Sequence, residues 1–144
     1  MTWAESNASL ERFIRGELGC QCPAEVFQEI VTERCPAAFG EWPCGALVSV
    51  GKRLLILVLR CDDCVAMRRR LRSLFEAGRR MRDARGFNRF RLVVATPSPE
   101  TMASSLIPCF ENLEGKDDRT HLHVVASDRV PELPVTCDLN GRRG

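Results

Sequence analysis

The 144-residue sequence contains no tyrosine, and its only lysines are Lys52 and Lys116. It also has no apolar run approaching the roughly 18 to 20 residues of a membrane span. The opening Met1-Thr2-Trp3-Ala4-Glu5 lacks the charged-then-apolar pattern of a secretory signal. No stretch of this sequence is long and apolar enough to span a membrane as a helix, and a cytoplasmic protein is the expectation. No phosphate-cradling glycine-rich loop, Ser-His-Asp constellation, zinc-protease helix motif or internal repeat occurs, which removes several large enzyme classes. Aromatic residues make up 6% of the chain, few for a surface that stacks bases. What remains is 44% hydrophobic with a net charge of +2, enough apolar material for one domain with one core.

Eight cysteines are many for a cytoplasmic chain whose apolar segments need no disulfide staples. Cys109 and Cys137 stand alone, whereas Cys20/Cys22, Cys35/Cys44 and Cys61/Cys64 are close enough to act in pairs.

Leu10, Phe13, Ile14 and Leu18 recur at helical spacing and stop at Gly19. Pro23 suits the start of a second helix with Val26, Phe27, Ile30 and Val31 as its stripe, ending before Cys35-Pro36. Residues 1–44 therefore read as a helical segment. Residues 45–144 read as an α/β core of about four strands. Ala46 to Val50 and Arg53 to Arg60 flank Gly51-Lys52 and predict a hairpin that supplies an antiparallel edge strand. The apolar run Leu54 to Leu59 predicts a central strand covered on both faces. Met67, Leu71, Leu74, Phe75, Gly78 and Met81 predict a long amphipathic helix, followed by a strand over Phe90 to Thr96. A helix from Ser98 should kink or split at Pro108. A strand over His121 to Ala126 follows, with a short edge strand open at Val135 to Leu139. Two successive crossovers favour parallel pairing in a mixed sheet.

The most chemically pointed feature is Cys61-Asp62-Asp63-Cys64, where the central strand meets the arginine-rich helix. Free amides and the positive end of a helix dipole favour the thiolate, the form that attacks disulfides or binds metal. Asp62 and Asp63 oppose it, unless one of them serves as the helix cap. The order strand, C-x-x-C, helix, strand, helix, strand over residues 54–126 resembles thioredoxin-like proteins. The chain differs from that family at Arg60, at Asp62-Asp63, and at Thr120, where the family carries a proline. The resemblance implies Cys61 as the attacking thiol and Cys64 as the resolving one, and a protein thiol is the expected partner.

Three further readings stay open. Cys20, Cys22, Cys61 and Cys64 could converge as four thiolates for zinc or an iron-sulfur cluster. Arg69, Arg72, Arg79 and Arg80, within a run that extends from Arg68 to Arg91, could bind an anionic partner or nucleic acid; Glu76 and Asp83 interrupt the run and favour a solvated face. His121 and His123 share one strand face and could chelate a metal, or simply lie half exposed behind a buried Leu122, Val124 and Ala126.

Overall fold

Alternation of side chains across a strand decides how this chain is layered. The apolar run Leu54–Arg60 (β3) sends Leu54, Ile56 and Val58 to one face and Leu55, Leu57 and Leu59 to the other, and all six are buried. It can occupy only the middle of a covered sheet. A computed structural model, which describes residues 3–19, 29–40, 42, 45–115 and 117–131, shows a five-stranded sheet with β3 third in line. The strands are Ile30–Arg34 (β1), Ala46–Val50 (β2), β3, Arg89–Thr96 (β4) and Thr120–Ala126 (β5), and they lie side by side in chain order. β1, β2 and β3 pair antiparallel, whereas β3, β4 and β5 pair parallel, so the sheet is mixed.

The β2–β3 connection is the tight turn expected of Gly51-Lys52. Both residues have φ of 57°, and the Arg53 amide closes on the Val50 carbonyl at 3.0 Å. Each parallel pair is joined by a helix: Cys64–Arg85 (α2) and Pro99–Glu111 (α3). Two right-handed crossovers advancing in the same direction along a sheet put both helices on one face. There Met67, Leu71, Leu74, Met102 and Leu106 cover Leu55, Leu57, Leu92 and Val94. Trp3–Gly16 (α1) closes the other face, burying Leu10, Phe13 and Ile14 against Val48, Ile56, Val58 and Val93.

α2 lies close to the sheet because residue 78 is glycine. A Cβ there would collide with the Phe90 ring. Phe90 itself stacks on Phe39 at 6.1 Å and meets Phe75 edge-on at 5.8 Å. Arg82, 3% exposed at its side chain, grips Asp117 through two bonds of 2.9 and 3.2 Å and ties the loop before β5 to α2. Those bonds hold the Asp117 carboxyl below the usual carboxylate range, although burial pulls the other way. Arg85 reaches Glu33 at 3.2 Å and fastens the last turn of α2 to β1.

Three sequence expectations are corrected. The sheet has five strands rather than about four. Ile30 and Val31, assigned above to a second N-terminal helix, belong to β1; their apolar pairing fits either period over so short a run, and the backbone of β2 was there to receive them. β2 is consequently not an edge, because β1 covers it. Of the N-terminal elements described, α1 is the only α-helix, a single 3-10 turn standing at Ala37–Phe39, and residues 20–28 lie outside the described part. So does the proposed strand at 135–139. α3 runs through Pro108 as one helix. Proline withdraws the bond to the carbonyl four residues back, on Ser104, whose exposed position leaves it open to water.

Candidate functional site

The parallel strands end together, and β3 ends in the thiol pair. The Cys61 amide donates to the Ala95 carbonyl at 3.0 Å, so residue 61 is fixed to β4 before the chain turns away. Asp63 is extended (φ −105°, ψ 101°) and caps α2, its carboxylate accepting from the Ala66 amide at 3.0 Å. One of the two aspartates is therefore the cap, and Asp62 stands exposed. The Asp63 amide points back and donates to Cys61 Sγ at 3.4 Å, while the Cys61 thiol faces the Asp63 carbonyl at 3.6 Å. Cys64 is the first residue of α2. Both thiols are free, half-buried, and rest on the core beneath α2. The arrangement sets a backbone N–H and the start of a helix beside the Cys61 sulfur, and the Asp63 carbonyl in front of its thiol hydrogen.

The other described cysteines differ. Cys35 follows β1; its thiol faces the Pro36 carbonyl at 3.6 Å, and burial pushes its pKa up to about 11. Cys109 lies in α3 against the same core. Cys20, Cys22, Cys44 and Cys137 fall outside the described residues, so the four-thiolate set of Cys20, Cys22, Cys61 and Cys64 is only half visible. Glu29, where description resumes, bonds Gly51 at the sheet end opposite Cys61. Among the described residues, no group of three or more His, Cys, Asp or Glu side chains is arranged to hold a metal ion, and no helix is long and apolar enough to cross a membrane.

The arginine run of α2 is divided among several tasks. Arg70 lies over the Trp42 ring at 5.7 Å, Arg68 reaches Ser105 at 3.3 Å, Arg79 bonds the Gly115 carbonyl and Arg82 holds Asp117. Of the four arginines singled out for anion binding, Arg72 and Arg79 border one groove together with Glu76 and Glu114. Arg69 and Arg80 are exposed on the outer stripe. The four do not converge on one point.

A cluster that sequence reasoning did not assemble lies near the other end of the parallel strands. Arg89 and Arg91 of β4 share the α1 face with His121 and His123 of β5. Arg89 approaches His121 Nε2 at 3.3 Å, and Arg91 approaches His123 Nε2 at 2.8 Å and the Leu18 carbonyl at 3.1 Å. Burial first, and then the neighbouring positive charges, lower the pKa of both imidazoles, that of His123 to about 4. The signal available in the sequence was parity: two arginines and two histidines, each pair two residues apart, on strands that a crossover makes neighbours. Leu122 and Val124 face the helices as expected, but only partly buried, and His123 is more enclosed than a half-exposed strand start would make it. Comparison with protein families, with curated proteins and with solved structures found no match to this chain.

Proposed function

We propose that Cys61 and Cys64 form a dithiol site that exchanges with a disulfide of a partner protein. The observation that carries this reading is the Asp63 N–H directed at Cys61 Sγ, at the start of a 22-residue helix and the end of the central strand. Ligands and reactive groups of open α/β sheets gather at that end. The Cys61 thiolate attacks one sulfur of the partner disulfide, forming a mixed disulfide and releasing the other sulfur as a thiolate. Cys64, deprotonated in turn, attacks Cys61 Sγ; the Cys61–Cys64 bond forms and the partner's second sulfur leaves. Two electrons pass to the partner, and the protons lost by the pair are taken up by the partner thiols.

The test is equilibration of the full chain with reduced and oxidised glutathione, followed by alkylation and mass analysis. A reversible two-electron Cys61–Cys64 disulfide in the wild type, and a glutathione adduct trapped on Cys61 in Cys64→Ser, are expected. Failure to form that disulfide at any glutathione ratio would remove the proposal. Metal analysis of protein purified without oxygen separates the zinc or iron-sulfur reading. One zinc per chain, or a cluster, lost on Cys61→Ser would assign the pair to metal binding instead.

A further inference from the structure

Among the described residues the buried threonines are Thr96, at the end of β4, and Thr120, at the start of β5, exposed by only 1% and 4%. The Thr120 hydroxyl donates to the Asp117 carbonyl at 3.0 Å. The Thr96 hydroxyl instead accepts, from the Ser98 amide at 3.2 Å, and among the described residues no acceptor takes its proton. A buried donor without an acceptor is uncommon in folded proteins and costs stability, so it calls for an explanation in what the residue does.

The register shows what lies beside it. Arg60 stands opposite Ala95 in the β3–β4 pairing, and the Cys61 amide carries the ladder one bond further by donating to the Ala95 carbonyl. Residue 61 is therefore beside residue 96. Both side chains leave the sheet on the helix-covered face, since Thr96 follows Phe90, Leu92 and Val94 at two-residue steps and Cys61 follows Leu55, Leu57 and Leu59. Adjacent strands are about 4.8 Å apart, within the reach of a hydroxyl and a sulfur that each extend one bond past Cβ. The structure shows no bond between the two: the Cys61 thiol is turned to the Asp63 carbonyl at 3.6 Å. A sulfur that has lost its hydrogen gains nothing from a carbonyl, whereas it accepts strongly from N–H and O–H donors. The Asp63 amide is one such donor, and Thr96 holds another on the adjoining strand.

We propose that the Thr96 hydroxyl is a second hydrogen-bond donor to the Cys61 sulfur during disulfide exchange, acting with the Asp63 amide. This rests on the dithiol reading of Cys61 and Cys64. In the first step a bond forms between Cys61 Sγ and one partner sulfur, the partner's S–S bond breaks, and the departing sulfur leaves with the electron pair as a thiolate. The hydrogen of Cys61 passes to water. Thr96 keeps its own proton throughout.

The full chain carrying Cys64→Ser, which holds the reaction at its first step, is mixed with oxidised glutathione and separately with iodoacetamide. The rate at Cys61 is read by mass analysis near pH 7 and near pH 10.5. Adding Thr96→Val is expected to slow both reactions about three- to tenfold near pH 7, and to leave them unchanged near pH 10.5, about two units above the value of a free thiol, where ionisation needs no donor. Thr96→Ser, which keeps the hydroxyl, should restore the rate. Loss of the Ser98 bond or looser packing alone would alter the rates equally at both pH values; that outcome overturns the proposal, as does a Thr96→Val rate near pH 7 equal to that of Cys64→Ser alone. Should Thr96→Val fail to fold, Thr96→Ala carries the same expectation and the same refutation. A wild-type chain that never forms the Cys61–Cys64 disulfide refutes the exchange reading, whereas rates insensitive to Thr96 in a chain that does form it refute the part given to the hydroxyl alone.

Discussion

Cys35 and Cys61 occupy the same local position, one residue past a strand that ends in arginine, and both rest half-buried on the core under α2. Their chemistry diverges with what comes next. After β1 the chain enters Pro36 and a short 3-10 turn, and the Cys35 thiol faces the Pro36 carbonyl. After β3 it enters the start of a long helix, and Cys61 receives the Asp63 amide. The two thiols differ in the donors that follow them. Burial pushes a thiol's pKa up, as the rise of Cys35 to about 11 shows.

The largest expected effect follows from that rise. At pH 8 a thiol with a pKa near 11 is roughly 0.1% thiolate, against about a quarter for a free thiol near 8.5, so Cys35 should alkylate on the order of a hundredfold more slowly than an unhindered thiol. Its rate should climb about tenfold per pH unit until the pH approaches 11. Rate profiles from peptide mass analysis check this, and a Cys35 rate already level by pH 9 would contradict it. Gly45 guards the burial: a Cβ there would stand 2.9 Å from Trp42 Cβ and 3.0 Å from both Cys35 Cβ and Leu59 Cδ2. Gly45→Ala should therefore cost about 1–3 kcal/mol in denaturant unfolding and speed Cys35 alkylation, leaving the Cys61 rate unaltered. A variant as stable as the wild type would show that the end of β1 is looser than its contacts indicate.

At the end of β3 the expected stability effect is smaller. Asp63→Ala removes the cap of α2 and should cost about 1 kcal/mol, while Asp63→Asn, which can still accept from the Ala66 amide, should recover most of it. Thermal unfolding of the two variants separates capping from charge. Equal losses in both would mean that charge at the helix start, and not the hydrogen bond, is what Asp63 contributes.

The contrast between the two thiols also shows what a sequence can reveal. The apolar run of β3, the Gly51-Lys52 turn and the α2 stripe from Met67 to Gly78 are strong periodic or turn signals, and each became the element it predicted. β1 carried a weak one: five residues, two of them charged, with Ile30 and Val31 matching a helical spacing begun at Val26. Only the free edge of β2 decides for a strand there, and that is a property of the folded sheet. The position of Cys61-x-x-Cys64 between strand and helix was legible for the same reason that β3 and α2 were. A helix cap at Asp62 or Asp63 was legible as well, being a local bond; the burial of Cys35 and the pairing of Arg89 and Arg91 with His121 and His123 were not, because each depends on register or on packing between distant segments.

Asp62 gives the finest test of why the two strand ends differ. It is exposed, and unlike Asp63 it makes no capping bond, so Asp62→Asn should leave stability unchanged. It places a negative charge one residue from Cys61. Unit charges about 4 Å apart in water interact by only about 1 kcal/mol, so removing the charge should change the Cys61 reaction rate by no more than about a few-fold. Cys61 alkylation should accelerate by about that factor at low salt and return toward the wild-type rate near 1 M salt, where the screening length falls to about 3 Å. Cys35, answering to burial and not to exposed charge, should show neither change. A salt-independent acceleration at Cys61 would mean that Asp62 acts through the shape of the turn. The difference between the two thiols would then rest on backbone geometry, with the aspartates playing no electrostatic part.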